Sequence, residues 1–344
     1  MKRRALVFRG PRQVSVVDEE CGPIPAGHLL VRTRVSAISA GTELLAYRGE
    51  LPEGVPLDDT LPALAGEAAW SYPFRYGYAA VGEVAGVGEG IAPGSWMGRR
   101  VFSFHPHASA FIVPAAQAWP VPDGIDVDAA ALVANMETAV NLVLDAGPRL
   151  GERVAVFGQG VVGLLATALL ARFPLQNLVV VDGVAARAAR GRALGAHAAV
   201  APDGDGDDDG SVRATIGGDG ADLTFELTGN PQALDGALAA TAREGRLVIG
   251  SFYGRKKSTV DLGGHFHRGR ISIISSQVSH IGPALSGRWD RDRRREAAWD
   301  ALGRVDSAAF VTHRFAIGQA AQAYALLDAG AAQTDVLQIL LTYE

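Results

Sequence analysis

From the N-terminus to about residue 122, apolar positions come in short runs broken by Gly and Pro, at 5–8, 13–17, 29–35, 79–87, 100–103 and 111–113. Runs of that length and spacing predict strands, and together an all-β, barrel-like lobe. The pattern changes at Asp128. Apolar residues recur at helical spacing over 129–144, and Ala146-Gly147-Pro148 supplies a stop signal. Beyond it, continuous apolar runs at 154–157, 178–181, 198–200, 223–227 and 246–249 alternate with helical stretches at 164–171, 185–194 and 232–242. Strand and helix in alternation predict an α/β fold with a doubly wound parallel sheet. Past Tyr253 the pattern predicts a strand at 271–275, helices at 291–302 and 318–327, and a last strand at 336–343 that returns to the first lobe. No repeat of solenoid period is present.

Composition narrows the class. The chain has 344 residues, 48% hydrophobic and 20% charged, enough for two domains with separate cores. No uninterrupted apolar run approaches the roughly 20 residues needed to span a bilayer, so no membrane association is expected. The first residues, Met1-Lys2-Arg3-Arg4-Ala5-Leu6-Val7-Phe8-Arg9, suit a strand better than a signal peptide. A net charge of −5 offers no general attraction to nucleic acid. Cys21 is the only cysteine, which excludes an intrachain disulfide and a zinc site built on clustered thiolates, and fits a reducing cytoplasm. The acidic run 203–210 faintly resembles a calcium loop, but Asp208 stands at the glycine position and Ala214 at the terminal glutamate position; a solvated loop is expected.

The chemistry begins at Val154-Ala155-Val156-Phe157-Gly158-Gln159-Gly160-Val161-Val162-Gly163, an apolar strand running into G-x-G-x-x-G and then a helix. The first glycine permits a tight turn, the second lets backbone approach a pyrophosphate, and the third lets helix pack on strand. Amides at the helix N-terminus face the phosphate charge. A second apolar strand ends in Asp182, placed to accept both ribose hydroxyls of NAD. Gly158, Gly160, Val161, Val162 and Asp182 are therefore the expected cofactor group. Arg187 and Arg190 would suit a 2′-phosphate, but Asp182 would repel it, which favours NAD over NADP. Thr228-Gly229 and Gly250-Ser251-Phe252 end two parallel strands, where open α/β sheets bind ligands, and should border the nicotinamide.

The order of a β-rich lobe, a central G-x-G-x-x-G, Asp222-Leu223-Thr224-Phe225-Glu226-Leu227-Thr228-Gly229 and a return segment resembles the medium-chain dehydrogenase/reductase family. Val81-Gly82-Glu83-Val84-Ala85-Gly86-Val87-Gly88 resembles that family's glycine-spaced strands. Ser36-Ala37-Ile38-Ser39-Ala40-Gly41-Thr42-Glu43-Leu44 and Ala134-Asn135-Met136-Glu137-Thr138 look most like its bacteriochlorophyllide a dehydrogenase-like branch. The resemblance implies a GroES-like catalytic domain over 1–124 and 291–344, and a Rossmann domain over 125–290. It implies that Arg187 lies against the adenine, and a homodimer built through a strand near 271–275. Positions that would hold catalytic zinc in the family read Ala40, Tyr78-Ala79 after Gly77, and Ala134, and the four cysteines of a structural zinc are missing. A zinc-free member is expected.

Without zinc, side chains must polarise the reacting oxygen. The resemblance places Thr42 at the proton-relay hydroxyl and Tyr78 where a zinc-binding histidine would stand. The competing readings are a backbone-bonded hydroxyl and a half-buried strand aromatic. Two histidines flank Pro106 and should point differently, with His107 preferred over His105 as general acid or base. Glu137 could orient the acid or contact substrate; a helix-surface carboxylate is the alternative. Glu43, Glu67 and Glu137 could together hold a hard ion, but scattered carboxylates are more often solvated or salt-bridged. Arg288, Arg291, Arg293, Arg294 and Arg295 could clamp an anionic substrate, or form a solvated helix start among Asp290, Asp292 and Glu296. The expected activity is zinc-independent, NAD-dependent interconversion of a secondary alcohol and a ketone on a small-molecule substrate held between the lobes. Reduction of an activated C=C bond and non-catalytic NAD sensing are the alternatives.

Overall fold

The computed structural model describes residues 1–54, 70–202, 211–330 and 335–343. The acidic run 203–210 and Glu67 lie outside these. The chain divides into two compact units, Met1–Ala134 with Asp306–Ala331 and Val336–Glu344, and Asn135–Val305 with Ala332–Asp335.

The first unit opens with an antiparallel pair, β1 (Lys2–Gly10) and β2 (Gln13–Glu20). Five more strands follow: β3 (His28–Ile38), β4 (Ala80–Val87), β5 (Arg100–Ser103), β6 (Ala110–Pro114) and β7 (Trp119–Pro120). β3 alternates between buried and exposed positions along part of its length. Leu29, Val31 and Val35 are buried while the intervening Arg32 and Arg34 are exposed. Leu29 and Val31 share a core with Ala80, Val84, Val101 and Phe111. A second core gathers Leu6, Phe8, Ile38, Leu45, Tyr324 and Ile339. Each such buried side chain contributes about 1.5–3 kcal/mol.

The second unit is a six-stranded parallel sheet of β8 (Arg153–Phe157), β9 (Asn177–Val181), β10 (Ala198–Val200), β11 (Ala221–Glu226), β12 (Thr241–Ile249) and β13 (Ser272–Ser275). Its order is β10-β9-β8-β11-β12-β13. This is the doubly wound order, with a switch point between β8 and β11. The expected α/β class, a Rossmann sheet plus a β-rich lobe, is the observed one. The chain then returns to the first unit as β14 (Val311–Ala316) and β15 (Gln338–Thr342), which pair in parallel, with β15 antiparallel to β3.

The structure differs from the expected boundaries for physical reasons. The units part at Ala134/Asn135 and Val305/Asp306, not at 124/125 and 290/291. The Ile125 carbonyl accepts from Arg100, and Asp128 pairs with Arg314, both within the first unit. The helix Arg291–Leu302 belongs to the second unit, where Arg294 is buried against Glu137. The helix expected over 129–144 is two, Val127–Ala130 and Val133–Ala146. Among the described residues, no helix is long and apolar enough to cross a membrane.

Candidate active site

The candidate cofactor residues of the second unit start at the turn after β8. Gly158 has φ +91°, and a Cβ there would lie 2.7 Å from the Leu227 carbonyl. At Gly163 a Cβ would lie 1.8 Å from the Gly158 oxygen, so the helix Val161–Leu170 packs on its strand only because that position is bare. Gly160 is different. A Cβ there meets nothing within 4 Å, so this position is open at the N-terminus of that helix. Val161 and Val162 form the first, half-buried helical turn.

Asp182 holds this turn from the end of β9. Its Oδ2 accepts from the Gln159 amide at 2.6 Å and its Oδ1 from the Val184 amide at 2.7 Å. A carboxylate has about four acceptor positions, so the two that remain suit ribose hydroxyls. Burial lowers the Arg187 pKa from its ordinary value, opposed by Asp182 and Asp335. Arg190 forms a two-point ion pair with Asp335, at 3.1 and 2.7 Å.

At the ends of β11 and β12 the structure joins the two loops expected to border the nicotinamide. The Gly229 amide donates to Ser251 Oγ at 2.8 Å. Both loops hang on Glu226, which is fully buried and which the sequence reading missed. Its Oε1 accepts from the Thr228 amide at 2.9 Å and hydroxyl at 2.5 Å, and its Oε2 from the Tyr253 hydroxyl. Burial, then the bond to Glu226, raises the Tyr253 pKa. At Gly250 the Leu142 and Leu227 side chains pack close to the backbone; a Cβ there would lie 2.5 and 2.6 Å from their terminal methyls. Phe252 is 47% exposed.

The candidate proton-handling residues lie in the first unit. Tyr78 precedes β4, and its hydroxyl donates to Ser39 Oγ at 2.5 Å and lies 3.3 Å from Thr42 Oγ1. The structure brings Tyr78 and Thr42 together, with Ser39 beside them. All three are half-buried. Thr42 lies in a helix, Ala40–Arg48, that the hydrophobic pattern did not predict, and Ser39 is its N-cap. Its end signal was available in Gly49, which caps it at φ +75°.

His107 is wholly buried, with both ring nitrogens engaged: Nδ1 lies 2.6 Å from Ser36 Oγ and Nε2 donates to Glu43 Oε2 at 2.9 Å. Glu43, also wholly buried, accepts from Tyr324 and from the Ser39 amide at 2.8 Å. Ser36 lies 2.6 Å from the Tyr343 hydroxyl and completes the chain. The imidazole packs this deeply because Gly77 is bare; a Cβ there would lie 2.5 Å from the ring. His107 thus sits behind Ser39, with no face open to a substrate. His105 points elsewhere, as expected, stacking on Phe111 at 4.4 Å. Burial lowers its pKa to about 4.

Glu137 is neither an exposed helix-surface carboxylate nor open to a ligand. It is 4% exposed and paired with Arg294, itself 3% exposed, at 3.1 Å. Burial raises the Glu137 pKa against the pull of Arg294. Arg294 also donates to Asn141 at 2.7 Å, so it is a buried tie between helices and not part of a solvated helix start. Arg288, Arg291 and Arg293 are exposed and Arg295 half-buried. Among the described residues, no three His, Cys, Asp or Glu side chains group to hold a metal, and Glu43 and Glu137 each have separate partners.

Residues 161–291 match the family described as zinc-binding dehydrogenase. The chain is 27% identical over 314 residues to D-guloside 3-dehydrogenase of Escherichia coli K12, covering 87% of this chain and 88% of that one. It resembles the crystal structure of a short chain alcohol dehydrogenase from Escherichia coli CFT073 complexed with NADH, with TM-score 0.78 and 20% identity over 99% of both chains. A putative zinc-binding dehydrogenase from Sinorhizobium meliloti 1021 bound to NADP gives TM-score 0.77 and 18% identity, again over 99% of both. The structural likenesses show the fold. The sequence matches support the medium-chain dehydrogenase/reductase family.

Proposed function

We propose that this chain is a medium-chain dehydrogenase/reductase that oxidises a secondary alcohol to a ketone, or the reverse, with NAD and without zinc. The observation that carries the cofactor assignment is the Gly158–Gly163 turn: open at Gly160, closed at Gly163, and held by Asp182. Bound nicotinamide would take or give the hydride. Gly160 and the first amides of Val161–Leu170 would hold the pyrophosphate, and Asp182 the ribose. The acidic side chain supports NAD over NADP, and Arg190, which a 2′-phosphate would need, is already paired with Asp335.

The relatives are alcohol and polyol dehydrogenases by name, which supports chemistry at CH-OH. Donor chemistry supports the zinc-free reading: Ala40 and Ala134 have no ligand atom, and a phenol stands at Tyr78. In the reduction direction Tyr78 would give its proton to the ketone oxygen, with Thr42 beside it. In oxidation the phenolate would take the proton back. Glu226 fixes the two loops that would border the nicotinamide, and Glu137 keeps the helix Arg291–Leu302 in place. The exposed edge strand β13, with Ile273 38% exposed, supports a homodimer. The test is NAD reduction with a panel of secondary alcohols, run beside metal analysis of the purified protein. Turnover at less than one zinc per ten chains is expected. One tightly held zinc per chain, with activity lost on its removal, would overturn the zinc-free reading.

A further inference from the structure

Ser39 occupies the N-cap of the helix Ala40–Arg48, where a serine side chain ordinarily accepts an amide of the first turn. Here it makes no such bond. The Thr42 and Glu43 amides turn instead to the Ser39 carbonyl, at 3.2 and 2.7 Å. Its own amide donates to Glu43 Oε1 at 2.8 Å, so the residue is fixed by its backbone while its hydroxyl is left for Tyr78 at 2.5 Å. Glu43 is fixed in turn by His107 and Tyr324, all three wholly buried. The buried cluster therefore ends at one half-exposed hydroxyl, and that hydroxyl touches the phenol.

We propose that Ser39 is a positioning residue for Tyr78: its hydroxyl, spared from helix capping and held by the Glu43–His107 cluster, donates to the phenolic oxygen and stabilises the phenolate formed when Tyr78 protonates a ketone. The inference rests on the reaction proposed above. Hydride adds to the carbonyl carbon, the Tyr78 proton goes to the carbonyl oxygen, and the negative charge stays on the phenolic oxygen until solvent returns a proton. Both hydroxyls rotate freely, so Ser39 accepts from the phenol at rest and donates once the proton has left. Thr42, at 3.3 Å, is the weaker donor.

The test reads Tyr78 directly and needs no substrate. A fluorinated tyrosine incorporated at position 78 brings the phenol's ionisation into the range where the fold is stable, and ¹⁹F NMR reports its midpoint in the full chain. Ser39→Ala is expected to raise that midpoint by about one to two pH units, the effect of losing one hydrogen bond to a charged group. Thr42→Ala should raise it less, and Ser39→Thr should leave it in place. If Ser39→Ala does not fold, Ser39→Cys, a much weaker donor of similar size, must raise it as well. An unmoved midpoint in Ser39→Ala or Ser39→Cys, or a larger shift in Thr42→Ala, overturns the assignment. The reaction itself is judged separately: a chain that consumes no alcohol sinks the dehydrogenase reading, while the midpoint still decides what Ser39 does.

Discussion

A methyl group added at each glycine of the Gly158–Gly163 turn separates what the turn does for folding from what it does for a dinucleotide. At Gly163 the new Cβ would lie 1.8 Å from the Gly158 oxygen, closer by about 1.2 Å than any real Cβ contact, so helix and strand must move apart. Overpacking of this kind costs about 1–3 kcal/mol. Gly158→Ala combines φ +91° with a backbone contact at 2.7 Å, and the dihedral alone costs about 1–3 kcal/mol. Gly160→Ala is the informative case. Its φ is −69° and its Cβ meets nothing, so the loss should stay under about 1 kcal/mol, the scale of an altered helix cap. The same methyl fills the space left for the pyrophosphate, and NADH affinity should fall at least about tenfold, or 1.4 kcal/mol. Urea unfolding followed by circular dichroism gives the first quantity and NADH fluorescence titration the second. A Gly160→Ala chain that binds NADH like the wild type, or a Gly163→Ala chain that unfolds like it, would refute this account of the turn.

Three further outcomes are expected. Asp182→Ala should weaken NAD binding by about 1.5–3 kcal/mol, the value of a hydrogen bond to a charged group, and unchanged affinity in the same titration would contradict the ribose assignment. Arg294→Met should cost about 3–5 kcal/mol in urea unfolding, because it leaves the Glu137 carboxylate buried and unpaired, and a loss below about 1 kcal/mol would contradict that pairing. His105 binds its proton less readily folded, with a pKa of about 4, than unfolded at about 6.5. Its contribution is therefore complete above pH 6.5 and is lost as the pH falls toward 4, by up to about 3 kcal/mol. His105→Phe should lose less stability than the wild type between pH 7.5 and pH 4.5; parallel curves would contradict the assignment.

The strand, glycine turn and helix at 154–170 were legible because they are local. A strand, a glycine turn and a helix follow one another, and Gly158 and Gly163 have steric reasons that spacing alone conveys. The doubly wound sheet was legible for a similar reason, since buried parallel strands read as continuous apolar runs. What escaped were contacts between segments far apart in the chain. His107 looked like a proton carrier by residue type, yet Ser36 and Glu43 engage both its ring nitrogens and are themselves bonded by Tyr343 and Tyr324, from four other segments that no local pattern announces. Glu226 was read only as part of a family motif; its role depends on Tyr253 and Thr228 reaching the same carboxylate. Arg294 sat in a run of charges that resembled a solvated face, and only the burial of Glu137 and Asn141 opposite it shows otherwise. β14 was missed because His313 and Arg314 break its apolar run, although pairing with β15 makes it a strand.

The central claim is hydride exchange at a carbinol carbon, with the proton handled by Tyr78. The most direct measurement gives the chain NADH deuterated at the nicotinamide transfer position, together with ketones and activated alkenes, and locates the label in the products by NMR. Deuterium on the carbinol carbon of a secondary alcohol, lost in Tyr78→Phe, is the predicted result. Deuterium on an alkene-derived carbon, or NADH bound tightly with no label transferred to any product, would contradict it.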